Sequence, residues 1–217
     1  MQPKDRYDTA DLDESQFEPG SRRRVLKNLL GITSKREMDQ LEGREQVRSL
    51  EDVAAFYDKD QRFTAADVCR IHQVWLGRIY SWAGHYRQVN VKKDEFPFAA
   101  AAQIPKLMAD FEAGPLRRHT PCRPTSIDGL AAALAEVHVE LVLIHPFREG
   151  NGRAARILAV LMGLQAGLPA LLFDKLSGRK RRQYFSAVQA GLDRDYDPMT
   201  TLFTAVIERT VQIHEKT

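Results

Sequence analysis

Residues 145–156, with the sequence HPFREGNGRAAR, constrain the fold of this chain more than any other stretch. Before them, apolar residues recur every three or four positions over Ile127–Ile144, which predicts an amphipathic helix. Pro146 disfavours helical backbone at the residue before it, so we expect His145 at or just past the helix end, facing a cleft. A second helical pattern starts after Gly152 and stops at a Gly-Leu-Pro breaker. The stretch therefore predicts a loop held between two helices.

The glycine-rich part of this loop has the properties of an anion site. Gly150, Asn151 and Gly152 open the second helix, where unpaired N–H groups and a partial positive charge attract anions. Glycines also let a ligand approach the backbone closely, so this helix start suits a phosphate. Arg153 and Arg156 are three positions apart, which puts them on one helical face, where both can bind further phosphate oxygens.

Two other side chains of the loop add chemistry to this anion site. Glu149 is a candidate ligand for Mg²⁺, which prefers a carboxylate together with phosphate oxygens. His145 supplies a base that is available near neutral pH. Each residue alone has a structural explanation, but their joint occurrence in one order favours an active site. The residues by themselves leave nucleotidyl transfer and phosphoryl transfer both open.

The whole stretch resembles the signature of the Fic family, HxFx(D/E)GNGRxxR, at every specified position. The resemblance implies a mostly helical enzyme domain that transfers a nucleoside monophosphate, usually AMP from ATP with Mg²⁺, to a hydroxyl of a target protein. It implies that His145 deprotonates this hydroxyl, that Glu149 holds Mg²⁺ and that Phe147 anchors the loop. The nucleotide-binding residues that it implies are Gly150, Asn151, Gly152, Arg153 and Arg156.

Residues 86–99 form a second region with a functional pattern. Gln88–Val91 and Phe96–Ala99 predict two short strands, and the simplest interpretation is a surface hairpin. The region is similar to the Fic flap, which lies over the active site and binds the target segment as an added strand. This resemblance implies that Lys93 lies near the nucleotide.

The turn of this hairpin departs from most flaps, which carry glycine there. Asp94 and Glu95 stand at the turn in this chain. Both the geometry of the turn and the charge near ATP are therefore open questions for the structure.

Helical patterns cover most of the remaining chain. We predict a short amphipathic helix over 21–30, one or two helices from Ser34 to about Tyr57, and a helix that starts at Thr64. In the latter, His72 is expected at the surface or at the edge of the core. Further helices are predicted over 103–113, after Ser177 and over 200–214, with a connection over 114–124.

These patterns predict a mostly α fold, and the resemblance implies a Fic-type helical bundle with a small β-hairpin flap over the active site. We expect residues 1–25 to be an N-terminal arm, loose or ordered by contact. Residues 26–217 are then the Fic domain with its flanking helices.

Composition excludes several classes of protein. Lys and Arg number 32 and Asp and Glu 29, and a net charge of +3 is too balanced to argue for nucleic acid. The chain has no long apolar run and no apolar leader at its start, so we expect neither membrane spanning nor secretion. Cys69 and Cys122 predict neither a disulfide framework nor a zinc site, which suits the reducing cytoplasm.

Other functions remain open alternatives to AMP transfer. Phosphoryl, UMP or phosphocholine transfer is the first, although the phosphotransferring branch of the family has lysine where Gly152 stands here. A silent partner-binding module would lose a chemical residue, and none is lost. A nucleic-acid-binding module would depend on the basic runs 21–24 and 179–182, which are explained more simply as solvated helix starts.

The resemblance also suggests how the enzyme is controlled. Family members are commonly inhibited by a helix with Ser or Thr, three residues, and then Glu before Gly or Asn, whose glutamate pairs with the second arginine of the signature. Here Glu42 precedes Gly43, but Met38 stands four positions earlier. We therefore predict that a separate small antitoxin supplies a glutamate to Arg156. Short bacterial members of the family that resemble this chain are toxins that act on type II topoisomerases. Type II topoisomerases are therefore the first candidate targets.

Overall fold

The structure, a computed structural model, describes residues 12–173 and 177–216 and is mostly helical. Helix Ile127–Ile144 packs against helices Asn151–Gln165 and Asp197–His214, and helix Ala65–Leu76 packs against helices Lys35–Phe56 and Asn151–Gln165. The predicted helical bundle with a small hairpin is confirmed. The elements in chain order are α1 (Lys35–Phe56), α2 (Ala65–Leu76), β1 (Lys92–Lys93), β2 (Phe96–Pro97), α3 (Ile104–Phe111), α4 (Arg117–His119), α5 (Ile127–Ile144), α6 (Asn151–Gln165), α7 (Gly178–Ala190) and α8 (Asp197–His214).

Helix α5 is the central helix, because 11 of its 18 residues are buried. Its bounds are those that the apolar periodicity predicts. At its start, the Ser126 hydroxyl accepts a hydrogen bond from the Gly129 N–H. Its last residue, Ile144, leads directly into His145, and the chain then enters α6 after five residues of loop, 146–150. The two central helices thus hold the loop from both ends.

Helices α1 and α2 form a second layer next to this loop. Ser34 caps α1 by accepting from the Glu37 N–H, and α1 is one continuous helix of 22 residues. The predicted helix start at Thr64 is confirmed, since Thr64 and Asp67 form a capping box at the start of α2. Three apolar residues on its inner stripe, Val68, Ile71 and Trp75, are fully buried.

The predicted short helix over 21–30 is wrong. Arg22 and Arg23 adopt positive φ, which a continuous α-helix excludes. The segment instead runs as turns and extended chain, and Leu26 pairs with Phe17 in an isolated antiparallel bridge. Val25 and Leu26 are buried while the next apolar pair, Leu29–Leu30, is exposed. The predicted arm is described only from residue 12, and residues 1–11 lie outside the described part of the chain.

The hairpin is shorter than predicted and begins later in the chain. Lys92 pairs with Pro97 and Lys93 with Phe96, so only two residues of each strand are paired. Residues 88–91 form no strand. Asp94 adopts a φ of 52°, the left-handed conformation for which glycine is common in other flaps.

The predicted connection 114–124 is partly helical. It begins inside a π-helical turn over Glu112–Leu116 and continues through α4. In the described part of the chain, no helix is long and apolar enough to cross a membrane.

Candidate active site

A cavity of about 950 Å³ opens between the flap, the loop 145–152 and helix α7. It brings together side chains from regions that are distant in the sequence. Every residue predicted for the site lines it: His145, Glu149, Gly150, Asn151, Gly152, Arg153, Arg156 and Lys93. The two charged residues of the flap turn, Asp94 and Glu95, line it as well.

The loop is braced from within by an amide side chain. Asn151 Oδ1 accepts from the Phe147 N–H at 2.8 Å, and Asn151 Nδ2 donates to the Phe147 carbonyl at 2.8 Å. Phe147 is fully buried, as expected for an anchor. Both polar groups of the Asn151 side chain are engaged within the loop. Asn151 can therefore bind a phosphate through its backbone N–H.

Gly150 is required by both conformation and space. Its φ is 85°, and an added Cβ would lie 2.8 Å from Cζ3 of the buried Trp75. The residue stands at the N-cap of α6, and no side chain caps this helix. The first N–H groups of α6 are therefore available to an anion, with the partial positive charge of the helix end behind them.

His145 is held as a neutral base at the end of α5. Its Nδ1 lies 3.1 Å from the Val142 carbonyl, which can only accept, so Nδ1 carries the proton and Nε2 keeps its lone pair. Phe98 of the flap stacks on the ring, with 3.6 Å between the ring centroids. Burial lowers the pKa of His145 to about 4, so the imidazole is neutral at pH 7.

The two arginines of the loop have different surroundings. Arg153 lies over the ring of Trp75, and its NH2 group is 2.7 Å from Glu42 Oε2 and 3.5 Å from Glu149 Oε1. Arg156 is partly buried, and this burial lowers its pKa. Among the described residues, no carboxylate pairs with Arg156. Its charge is therefore left for a ligand in the cavity.

Glu42 lies beside the loop, although the residues before it do not match the inhibitory pattern of the family. It is 1% exposed on α1, and its Oε1 accepts from the Tyr80 hydroxyl at 2.7 Å. The indole N–H of Trp75 donates to its carbonyl at 2.9 Å, which fixes the backbone at this point. Its carboxylate reaches Arg153, the first arginine of the loop, rather than Arg156. The signal in the sequence was a glutamate before glycine.

Glu149 has the surroundings of a ligand for a nucleotide-bound metal ion. Its side chain is 49% exposed, and its Oε1 accepts from the Gly150 N–H at 3.0 Å. The described residues contain no group of three or more His, Cys, Asp or Glu side chains that could hold a metal ion. A single carboxylate beside an anion site fits Mg²⁺, which binds proteins through one or two carboxylates and takes its other ligands from phosphates and water.

Lys93 enters the cavity from the flap. Its Nζ lies 3.5 Å from the centroid of the Phe185 ring on α7, so the flap contacts the opposite wall. Burial lowers the pKa of Lys93, and the neighbouring charge of Arg181 lowers it further. A phosphate or a nucleobase bound in this cavity would therefore contact a partly buried cation.

His72 was expected at the surface or at the core edge, and the surface expectation is wrong, because the residue is fully buried. The Gly84 N–H donates to its Nδ1 at 2.9 Å, so Nε2 carries the proton and donates to the Glu149 carbonyl at 3.0 Å. Its ring stacks on Phe147 at 3.9 Å. Its place between Ile71 and Trp75 on an inner stripe was the signal that could have revealed its burial.

Comparisons with known proteins agree with this geometry. Residues 62–162 match the model of the Fic/DOC family. The protein adenylyltransferase VbhT of Bartonella schoenbuchensis is 30% identical over 148 residues, which are 66% of this chain and 30% of that protein. The protein adenylyltransferase Fic of Culex quinquefasciatus is 27% identical over 162 residues, 74% of this chain and 31% of that protein. The chain thus spans about a third of the length of these relatives.

Solved structures share the fold over most of the chain. BepC of Bartonella tribocorum with bound AMPPNP has a TM-score of 0.71 at 23% identity, covering 90% of this chain and 97% of that one. An N-terminal Fic domain of Bartonella quintana with bound ADP has a TM-score of 0.70 at 25% identity, covering 89% and 94%. Together with the matched family model, these similarities show that the chain contains a Fic domain.

Proposed function

We propose that this chain transfers AMP from Mg·ATP to a hydroxyl side chain of a target protein. One observation carries the proposal: a neutral base, His145, shares a cavity with the uncapped N-terminus of α6 and with Arg156. The names of the relatives, protein adenylyltransferases, support it. So do the adenine nucleotides bound in similar structures, one of which carries an analogue of ATP.

In the proposed reaction, Nε2 of His145 takes the proton of the target hydroxyl. The hydroxyl oxygen forms a bond to the α-phosphorus of ATP as the bond to the pyrophosphate breaks. The backbone N–H groups at the start of α6 and the Arg156 guanidinium neutralise charge on the phosphates. Glu149 would hold Mg²⁺, which supplies further neutralisation when bound. Lys93 adds a cation from the flap.

The assignment of the base has a direct test. His145→Ala should lower AMP transfer by about 10²- to 10⁴-fold, the usual contribution of a positioned base. His214→Ala is the matched control, because His214 is an exposed histidine at the end of α8. Intact-mass measurement of the target reads the product as one added AMP. Phosphate adducts, or phosphocholine adducts when its cytidine donor is offered, would instead assign the chain to one of the alternative chemistries.

Glu149 and Arg156 should act on different parts of the nucleotide. Glu149→Ala should lose the dependence of the rate on Mg²⁺ concentration together with most of the rate. Arg156→Ala should weaken the binding of ATP more than the binding of ADP, because this guanidinium is proposed to bind the γ-phosphate, which ADP lacks. Calorimetric binding of ATP and ADP tests the second role, and an unchanged preference between them would refute it.

We propose further that a separate antitoxin restrains the chain by placing a glutamate against Arg156. The absence of a carboxylate partner for Arg156 in the described part of the chain supports this. Glu42 favours a second candidate, an internal restraint, because it already contacts Arg153. Expression of the chain alone should be toxic to bacteria in the first case, and His145→Ala should relieve that toxicity.

Glu42→Gln separates these two modes of control. The substitution keeps an acceptor for the Tyr80 hydroxyl and the volume of the side chain, and removes only the charge that faces Arg153. A large increase in AMP transfer by the variant would make Glu42 the inhibitor. An unchanged or lower rate would favour the separate antitoxin. Glu37→Gln is the matched control, since Glu37 is exposed on the same helix.

For the target, we propose a protein segment that binds along the flap as an added strand. The two paired residues of each strand leave backbone groups at the edge of the hairpin for such a partner. A type II topoisomerase is the first target to test, in a reducing cytoplasmic setting. Mass spectrometry of that protein after incubation with the chain and Mg·ATP would identify the modified hydroxyl, and an unmodified topoisomerase would exclude it.

A further inference from the structure

We propose that Arg87 is a positioning residue that fixes the flap and the base of the reaction relative to each other. The inference rests on the proposed function in one respect, the role of His145 as the base. The observation behind it does not depend on that role: a single buried guanidinium is hydrogen-bonded both to the flap and to the loop that carries His145.

Arg87 donates to three carbonyls that belong to two different structural units. Its Nε donates to the His145 carbonyl at 2.7 Å. Its NH1 and NH2 groups donate to the carbonyls of Val89 and Ala99, at 2.7 and 2.5 Å. The backbone N–H of Arg87 also donates to the Pro146 carbonyl, at 2.8 Å. The planar fork of the guanidinium is the side chain that can serve three acceptors in fixed directions.

The flap side of this arrangement controls where the hairpin stands. Val89 and Ala99 lie just outside the paired residues of β1 and β2, one before the hairpin and one after it. A hairpin with two paired residues in each strand has little stability of its own. Its position therefore depends on bonds at its base. Phe98, the neighbour of Ala99, is thereby held against the His145 ring.

The loop side has a conformation that needs support. His145 has a φ of 52° and a ψ of 57°, a left-handed conformation that is unfavourable for a residue with a Cβ. Arg87 holds the carbonyls on both sides of the Pro146 ring, those of His145 and Pro146. These two bonds fix the peptide planes from which the imidazole projects.

Burial makes these bonds hard to replace with water. Arg87 is 2% exposed, and burial lowers its pKa. The negative charge of Glu14 acts on Arg87 from another buried residue, 5% exposed, whose carboxylate accepts from the Gln88 N–H at 2.6 Å. Arg148 donates to the Glu14 carbonyl at 2.7 Å, so the chain segment before α1 supports the same region. The guanidinium is thus enclosed, with its N–H groups directed at backbone.

The phosphate-binding part of the loop is braced separately, by Asn151 against Phe147. Loss of the Arg87 bonds should therefore misplace the base without removing the nucleotide site. Arg87→Lys keeps the charge but cannot reach three carbonyls in different directions. We expect kcat for AMP transfer to fall about ten- to a hundredfold, as small misplacements of a catalytic group do. The Kd for ADP should stay within about twofold of the wild-type value.

Two readouts do not depend on catalysis. Hydrogen exchange followed by mass spectrometry should show faster exchange in 88–100 and 145–148 in Arg87→Lys, with other segments unchanged. A titration of His145 followed by NMR should show its pKa rise toward 6.5, because the flap no longer covers the ring. The charged groups that face this ring besides Arg87 are Glu149 and Lys93, and both are unaltered in the variant.

Arg62→Lys is the matched control, because Arg62 donates to the Arg117 carbonyl at 3.1 Å from an exposed position on another part of the surface. Should Arg87→Lys fail to fold, Arg87→Gln removes the buried charge as well and is measured in the same way. The proposal is overturned if exchange in the flap and the pKa of His145 stay at their wild-type values, or if ADP binding is lost in step with kcat. If wild-type protein transfers no AMP, the exchange and NMR measurements still decide the role of Arg87.

Discussion

Two buried histidines should make this protein lose stability in mild acid. His72 is fully buried and His138 is 2% exposed, next to the Tyr184 hydroxyl at 2.8 Å from its Nε2. Burial lowers the pKa of His72 to about 4 and that of His138 to about 3, whereas an unfolded chain has histidines near 6.5. Above pH 6.5 both states are neutral and the pair has no pH-dependent effect.

As the pH falls below 6.5, the unfolded chain binds protons that the native protein does not. The free energy of unfolding should then fall by about 1.4 kcal/mol per pH unit for each histidine, until the native pKa is reached. Between pH 7.5 and 5.0 this amounts to about 2 kcal/mol for each histidine and about 4 kcal/mol for the pair. That is a large part of the stability of a typical domain.

Urea unfolding of the wild type and of His138→Gln at the two pH values tests this reasoning. The variant loses stability at pH 7.5, since glutamine does not reproduce the contacts of the buried ring. Its unfolded state gains no proton at this position in acid, so the gap between the two proteins should shrink by about 2 kcal/mol at pH 5.0. His214→Gln, at an exposed position, is the matched control. An equal gap for His138→Gln at both pH values would mean that the native histidine titrates normally and would refute the argument.

The remaining predictions concern the loop. Gly150→Ala should lower the free energy of unfolding by about 2–5 kcal/mol, because it combines a left-handed φ with a Cβ against Trp75, and a loss below about 1 kcal/mol in thermal or urea unfolding would contradict this. Asn151→Ala should cost about 2–4 kcal/mol in the same measurement, because the buried N–H and C=O of Phe147 lose their partner, and a neutral effect would show that water replaces it. The low pKa of His145 predicts that kcat/KM does not fall between pH 8 and pH 6 through protonation of this base; a fall centred near 6.5 would mean that His145 is not buried in the free enzyme.

The features that could be predicted from the sequence depend on short-range rules. The bounds of α5 follow from apolar periodicity and the Ser126 cap, and the break at its end follows from Pro146. The helix after the loop follows from the same periodicity and from Gly150 at its start. In each case the residues that determine the structure lie within a few positions of it. The predicted site residues consequently line one cavity.

The features that could not be predicted depend on partners far along the chain. His72 meets the Glu149 carbonyl across 77 positions, and Arg87 meets that of His145 across 58. Neither hydrogen bond leaves a recognisable pattern in the sequence, because every residue has a backbone carbonyl that can accept. For the segment 21–30, a local pattern gave the wrong prediction. Its basic and apolar residues suit a helix, but Val25 and Leu26 are buried in extended chain that pairs with Phe17.

The most direct test of the proposed reaction follows the two ends of ATP separately. The protein is incubated with Mg²⁺ and a bacterial lysate, with ATP labelled either at the α-phosphate or at the γ-phosphate, and with His145→Ala as the inactive comparison. Transfer of the α-label to protein, with no transfer of the γ-label and none by the variant, is the predicted result. Transfer of the γ-label, or equal labelling by His145→Ala, would contradict AMP transfer by this base.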